Sequence, residues 1–136
     1  EFQHVKLGAV LDMADLYDPS CDRLFYAPWR PDPRPLEGLF QGTYAHIAVV
    51  DYWRARLHTT DGPESRAAEV QFARWREQTS EAVRTLASSG ALTPLGERFV
   101  NGMGETLAES LTDQVSAEAL AEAHRAAEEH RGRVVI

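Results

Sequence analysis

Cysteine is nearly absent from this chain. Cys21 stands alone, so no internal disulfide can form, and a reducing compartment fits. Long apolar runs are missing as well. No stretch approaches the ~20 residues of a membrane-spanning helix, and no basic-then-apolar signal segment opens the sequence. Positive charge is in deficit: the formal net charge is −7. That balance argues against a nucleic-acid or anionic-membrane partner, since either would ask for clustered Lys and Arg. No internal repeat or low-complexity tract is visible.

What is present suits an ordinary folded domain. The chain has 136 residues, of which 43% are hydrophobic and 26% charged. A compact chain of this length buries roughly two-thirds of its unfolded surface, enough for a core. It begins at Glu1 without Met, and Glu1 already reads as mid-helix with no capping residue ahead of it. The expectation is a fragment of a longer protein.

The patterning predicts a mainly α domain of about five helices, with a proline-rich loop between the first two. The first helix runs from Glu1 to about Tyr17, with Phe2, Val5, Ala9, Val10, Met13 and Leu16 recurring at three and four. From Asp18 to Pro35 there are prolines at 19, 28, 31, 33 and 35. Proline removes donors and restricts its predecessor, so this is an irregular excursion with at most a short strand near Leu24-Phe25-Tyr26. It is long for a plain connection, and long ordered loops often carry function. Further helices are expected at about 36–58, 64–88, 94–110 and 117–130. Leu39, Tyr44, Ile47, Val50 and Trp53 form the core face of the second. Thr93-Pro94 and Ser116 read as starts of the last two. The final helix is rich in Ala and Glu and should be peripheral.

The residues that could carry chemistry begin at the first position. Glu1-Phe2-Gln3-His4 is the motif H-E-x-x-H lacking its leading His. On a helix, the two His of that motif lie on one face and can share a metal ion, with the Glu within reach of a metal-bound water. Alone, Glu-x-x-His is a weak signal, equally the polar face of an amphipathic helix. His46, among apolar neighbours in the second helix, is either a core histidine with one satisfied hydrogen bond or a third ligand. Gly8 lies four residues after His4, and Gly42 four before His46. Glycine costs about 1 kcal/mol in a helix interior, so a packing reason is expected: close approach of the two helices, bringing the imidazoles together. Asp51 is the competing ligand, on a different part of the helix surface. In the loop, Arg30 and Arg34 beside Tyr26 and Trp29 could fork onto a carboxylate, or form structural pairs with Asp32 or with helix ends. His58, His124 and His130 read as solvated helix-end residues, and Trp75 as a packing corner.

Several stretches together resemble one family. Glu1–Asp12 looks like the metal helix of the HEXXH-motif domain found in peptide-modification gene clusters. Tyr26-Ala27-Pro28-Trp29-Arg30, Gly42-Thr43-Tyr44-Ala45-His46, Phe72–Thr79 and Leu92–Val100 are also similar to that family. The resemblance covers nearly the whole chain, in order. It implies that residues 1–136 are the C-terminal portion of such a domain, entered inside the metal helix. Members occur alone or fused to radical-SAM peptide maturases. The implied activity is that of a non-haem iron, 2-oxoglutarate-dependent dioxygenase, hydroxylating the β-carbon of a residue in a ribosomally made precursor peptide in the cytoplasm. His4 and His46 would then be iron ligands, Glu1 would orient them, and Arg30 or Arg34 would hold the distal carboxylate of 2-oxoglutarate. Two alternatives stand beside this. One is a zinc hydrolase in which Glu1 deprotonates the bound water. The other is an inactive helical extension that packs on a maturase.

Overall fold

The computed structural model describes residues 16–134. Glu1, His4 and Gly8 lie outside the described residues, as does most of the expected first helix. The fold is mainly α. Among the described residues, a two-stranded antiparallel ribbon, β1 (Leu24–Phe25) and β2 (Arg34–Pro35), precedes four helices: α1 (Leu36–Thr59), α2 (Gly62–Ala87), α3 (Pro94–Ser110) and α4 (Ala117–Arg133). The expected helix bounds agree with these to within a few residues.

Turn chemistry explains most of the boundaries. In the ribbon Leu24 pairs with Pro35 and Phe25 with Arg34. The fixed φ of Pro35, −63°, ends the second strand and opens α1 directly. Only Thr60 and Asp61 separate α1 from α2, and Gly62 takes φ +60°, a left-handed turn that reverses the chain at little steric cost. The Thr93 hydroxyl accepts from Gly96 N–H at 3.1 Å, and Pro94 follows at the first helical position, as Thr-Pro predicted. The Ser116 hydroxyl accepts from Ala119 N–H at 3.2 Å and is itself held by the Glu69 carboxylate at 2.7 Å.

α1 and α2 form a long antiparallel hairpin, with α3 across it. The main core gathers Leu16, Phe25, Leu36, Phe40, Leu86 and Val100, all buried. A second cluster of Val50, Phe72 and Leu107 continues it along the hairpin. The last helix packs through Ala73, Ala119 and Ala123, whose small side chains let backbones approach closely. That explains how an Ala- and Glu-rich segment docks with little apolar bulk. At the other end, residues 16–18 are tacked to 91–93: Asp18 N–H donates to the Ala91 carbonyl at 2.7 Å and Thr93 N–H to that of Leu16 at 3.1 Å. This lays the Leu16 carbonyl against Gly96, where a β-carbon would stand 1.8 Å from the oxygen.

The candidate site around His46

Gly38, Gly42 and His46 are spaced four apart on α1 and so line one stripe of it. The loop from Pro28 to Pro35 lies along that stripe. The Arg34 side chain covers Gly38, its Nε 3.2 Å from the place of a β-carbon there. The Trp29 indole covers Gly42 even more closely, with Cζ2 2.7 Å from the corresponding point. The glycine at 42 therefore makes room for an indole delivered by the loop. The expected partner in that role, Gly8, is outside the described residues.

One turn on, the His46 imidazole lies between two indoles. Trp29 stacks on it at 4.3 Å between ring centroids and 18° between planes, and Trp75 of α2 at 4.9 Å and 22°. His46 Nδ1 lies 2.6 Å from the Gly42 carbonyl oxygen. A carbonyl only accepts, so Nδ1 carries the proton. Burial lowers the imidazole pKa from its ordinary value, against a smaller opposing pull from the Gly42 carbonyl. The neutral form of the ring is thus favoured, and in it Nε2 holds a lone pair with no hydrogen-bond partner among the described residues. A neutral imidazole whose Nδ1–H is fixed by a backbone carbonyl has the tautomer and orientation of a metal ligand. It also satisfies the description of a core histidine with one hydrogen bond.

The other sequence candidates fall in different places. Asp51 is exposed, about 140° round the helix from His46 by the 100° advance per residue. Its carboxyl pKa is raised by partial burial and by Glu109, with Arg54 opposing. Arg30 pairs within its own loop with Asp32 at 3.2 Å, both groups half exposed. Arg34 makes no ion pair among the described residues and lies over the glycine stripe two turns from His46. Among the described residues, no three His, Cys, Asp or Glu side chains are grouped as a metal site. A metal at His46 would need ligands from outside the described residues.

Two features were not foreseen. Trp75, read as a packing corner, is half of the clamp on His46. And His130, read as a solvated helix end, brings its Nδ1 to 2.6 Å from the Tyr26 hydroxyl, while Arg131 caps the Tyr26 ring at 4.3 Å. These contacts seat the end of α4 on the loop. Between them lies a cavity of about 350 Å³, whose walls include Trp29, Trp75 and Gln78. His58 and His124 also have partners, Asp113 at 3.0 Å and Glu77 at 2.6 Å.

Compared with known proteins, the chain matches no family model, and no curated protein shows significant similarity to it.

Proposed function

We propose that His46 and His4 are two of the ligands of an iron site, and that the protein is a 2-oxoglutarate-dependent hydroxylase of a ribosomally made precursor peptide. One observation supports this most: the imidazole with Nδ1–H fixed on the Gly42 carbonyl and an Nε2 that has no hydrogen-bond partner among the described residues. The resemblance of Glu1–Asp12 and of Gly42–His46 to the HEXXH-motif domain supplies the rest. Bound iron would supply the coupling of 2-oxoglutarate decarboxylation to hydroxylation of a C–H bond. The chain's own part is to hold His46 between Trp29 and Trp75 and to offer Arg34 for the distal carboxylate of the co-substrate. Glu1 would orient the ligands from the first segment. A lone cysteine and a need for cellular 2-oxoglutarate suit a cytoplasmic setting, and a radical-SAM maturase acting on the same peptide is a fitting partner.

The test uses the complete gene product, loaded with Fe(II) and 2-oxoglutarate under argon. The visible charge-transfer band of the iron–2-oxoglutarate complex should form, and peptide-dependent succinate should appear on adding O₂. Both should vanish in His46→Ala and persist in His58→Ala. Full turnover with stoichiometric iron in His46→Ala would remove His46 from the site. Zinc-dependent peptide cleavage in place of succinate would select the hydrolase.

A further inference from the structure

The last helix is fastened differently from the others. Its packing against other helices is almost wholly on α2. The residues it buries are Ala119 and Ala123, which meet Ala73 of α2. By contrast, α1 buries Leu39, Phe40 and Ile47 among others, and α3 buries Val100, Met103 and Leu107. Burial stabilises in proportion to the apolar area removed from water, so a seam of alanines is weak beside these. The seam is also narrow. On one flank lies the cavity of about 350 Å³ that Trp29 and Trp75 help to line. On the other lies a cavity of about 280 Å³, whose walls include the exposed Leu111 and Leu120.

The remaining attachments of α4 are polar. Glu69 holds Ser116 at its start, and Glu77 lies 2.6 Å from His124 in its middle. At its end Arg131 pairs with Glu81, and His130 meets the Tyr26 hydroxyl. The His124 and Arg131 side chains are largely exposed, where an ion pair adds little. When the helix leaves, water can take the place of each of these partners. The loop does not depend on α4 for its place, because Phe25 and Ala27 are buried in the main core with Leu36 and Phe40.

We propose that α4 is a lid. It lifts from α2 as one unit while α1, α2, α3 and the loop stay folded, and it opens the cavity along Trp29 and Trp75. Elements held by few buried apolar contacts are the ones that open locally within a native protein. Those two indoles stack on His46, so the lid lies over one flank of the candidate site. Its open population limits what reaches that flank. The proposal goes beyond the metal reading, because the lid requires no iron.

The experiment is thiol labelling with iodoacetamide under native conditions, on the metal-free chain carrying Cys21→Ser. Ala73→Cys places a thiol under the lid, and Ala82→Cys places one in the main core; both positions are buried. Labelling should be at least a hundred-fold faster at position 73 than at 82. Low urea should leave the rate at 73 nearly unchanged and raise the rate at 82, since lifting one helix exposes little surface and unfolding exposes much. Val100→Ala weakens the main core in the lid-closed and lid-open protein alike. It should speed labelling at 82 at least five-fold and leave 73 unchanged. Hydrogen exchange on the unaltered chain checks that the new thiol has not itself loosened the seam. A lifted helix of 17 residues is marginal in water, so amides 121–130 should share one level of protection, at least a hundred-fold below that of the middle of α1. One rate and one urea slope at both thiol positions would mean that α4 leaves only when the whole protein unfolds, and would overturn the lid. So would exchange that rises steadily toward residue 133 while position 73 stays as protected as 82, the mark of end fraying. Neither result touches the iron–2-oxoglutarate band, so this proposal and the metal reading fail separately.

Discussion

Trp29 Cζ2 sits 2.7 Å from the point where a β-carbon on Gly42 would stand. No real β-carbon tolerates that contact, so Gly42→Ala must displace the indole and with it the stack on His46. The helix gains about 1 kcal/mol from losing a glycine, while overpacking costs about 1–3 kcal/mol. The net expectation is a loss of up to ~2 kcal/mol, with a changed Trp emission spectrum. Gly38→Ala is the matched control. Its new methyl meets only the guanidinium end of Arg34, at 3.2 Å, which can swing aside. Urea unfolding should show Gly38→Ala neutral or stabilised by up to ~1 kcal/mol. Equal behaviour of the two variants would mean that Trp29 is not seated on Gly42.

A harsher contrast is expected in α3. At Gly96 the obstacle is the Leu16 carbonyl, 1.8 Å from the added methyl. Backbone cannot rotate away, so Gly96→Ala should lift residues 16–18 from 91–93 and cost about 3 kcal/mol, the upper end of overpacking. Gly104→Ala meets only Val83 Cγ1 at 3.8 Å, ordinary contact, and should gain up to ~1 kcal/mol. Thermal melts of the two variants check the ordering.

His46 should leave a mark on the pH dependence of stability. Its folded pKa is depressed by burial, below the unfolded value of about 6.5. The unfolded chain therefore binds more protons as pH falls through about 6.5, and the contribution, complete above that value, is lost on acidification toward the folded pKa. His46→Phe keeps a flat ring between Trp29 and Trp75 and removes the titration. Denaturant titrations between pH ~7 and ~5 should give a shallower slope for His46→Phe than for the parent. Identical slopes would refute a half-buried imidazole whose pKa is lowered.

Asp113 ties the end of α1 to the α3–α4 turn. It accepts from Arg54 Nε at 2.7 Å and Nη2 at 3.2 Å, and lies 3.0 Å from His58 Nε2. Asp113→Ala should cost about 1 kcal/mol, since the bidentate pair is strong in type but partly open to solvent. The hydrogen bonds from Arg54 above all, with that from His58, hold the Asp113 carboxyl below the usual carboxylate range, against an opposing effect of burial. Its contribution is present above about pH 3.9 and is lost as pH falls through the folded value. The variant should therefore lose less stability than the parent on acidification below pH ~4, readable by circular dichroism.

The helices were legible because they are long and announced by local chemistry. Thr93-Pro94 and Ser116 each act within a turn of themselves, and each falls where the sequence placed it. The apolar period of Leu39, Ile47 and Val50 likewise named three buried residues. The site was less legible because its contacts are distant in sequence. Nothing local to Trp75 says that it will lie on His46, 29 positions earlier, and nothing local to His130 points to Tyr26. A trace existed even so. Gly42 asked for a packing partner, and the loop aromatic Trp29 was on hand to supply it. Arg30 beside Asp32 needed only its own loop, and that pairing is the one observed.

The contact between Tyr26 and His130 spans 104 positions. During synthesis the loop leaves the ribosome well before its partner helix. The α1–α2 hairpin, closed by a connector of two residues, pays little loop-closure entropy and can form while the chain is still short. The cavity wall has no such early route, because α4 must be made before Tyr26 has anything to meet. A nascent chain stopped short of α4 would keep the hairpin and the His46 stack yet lack one side of the pocket. Synthesis of α4 would itself be the event that encloses it.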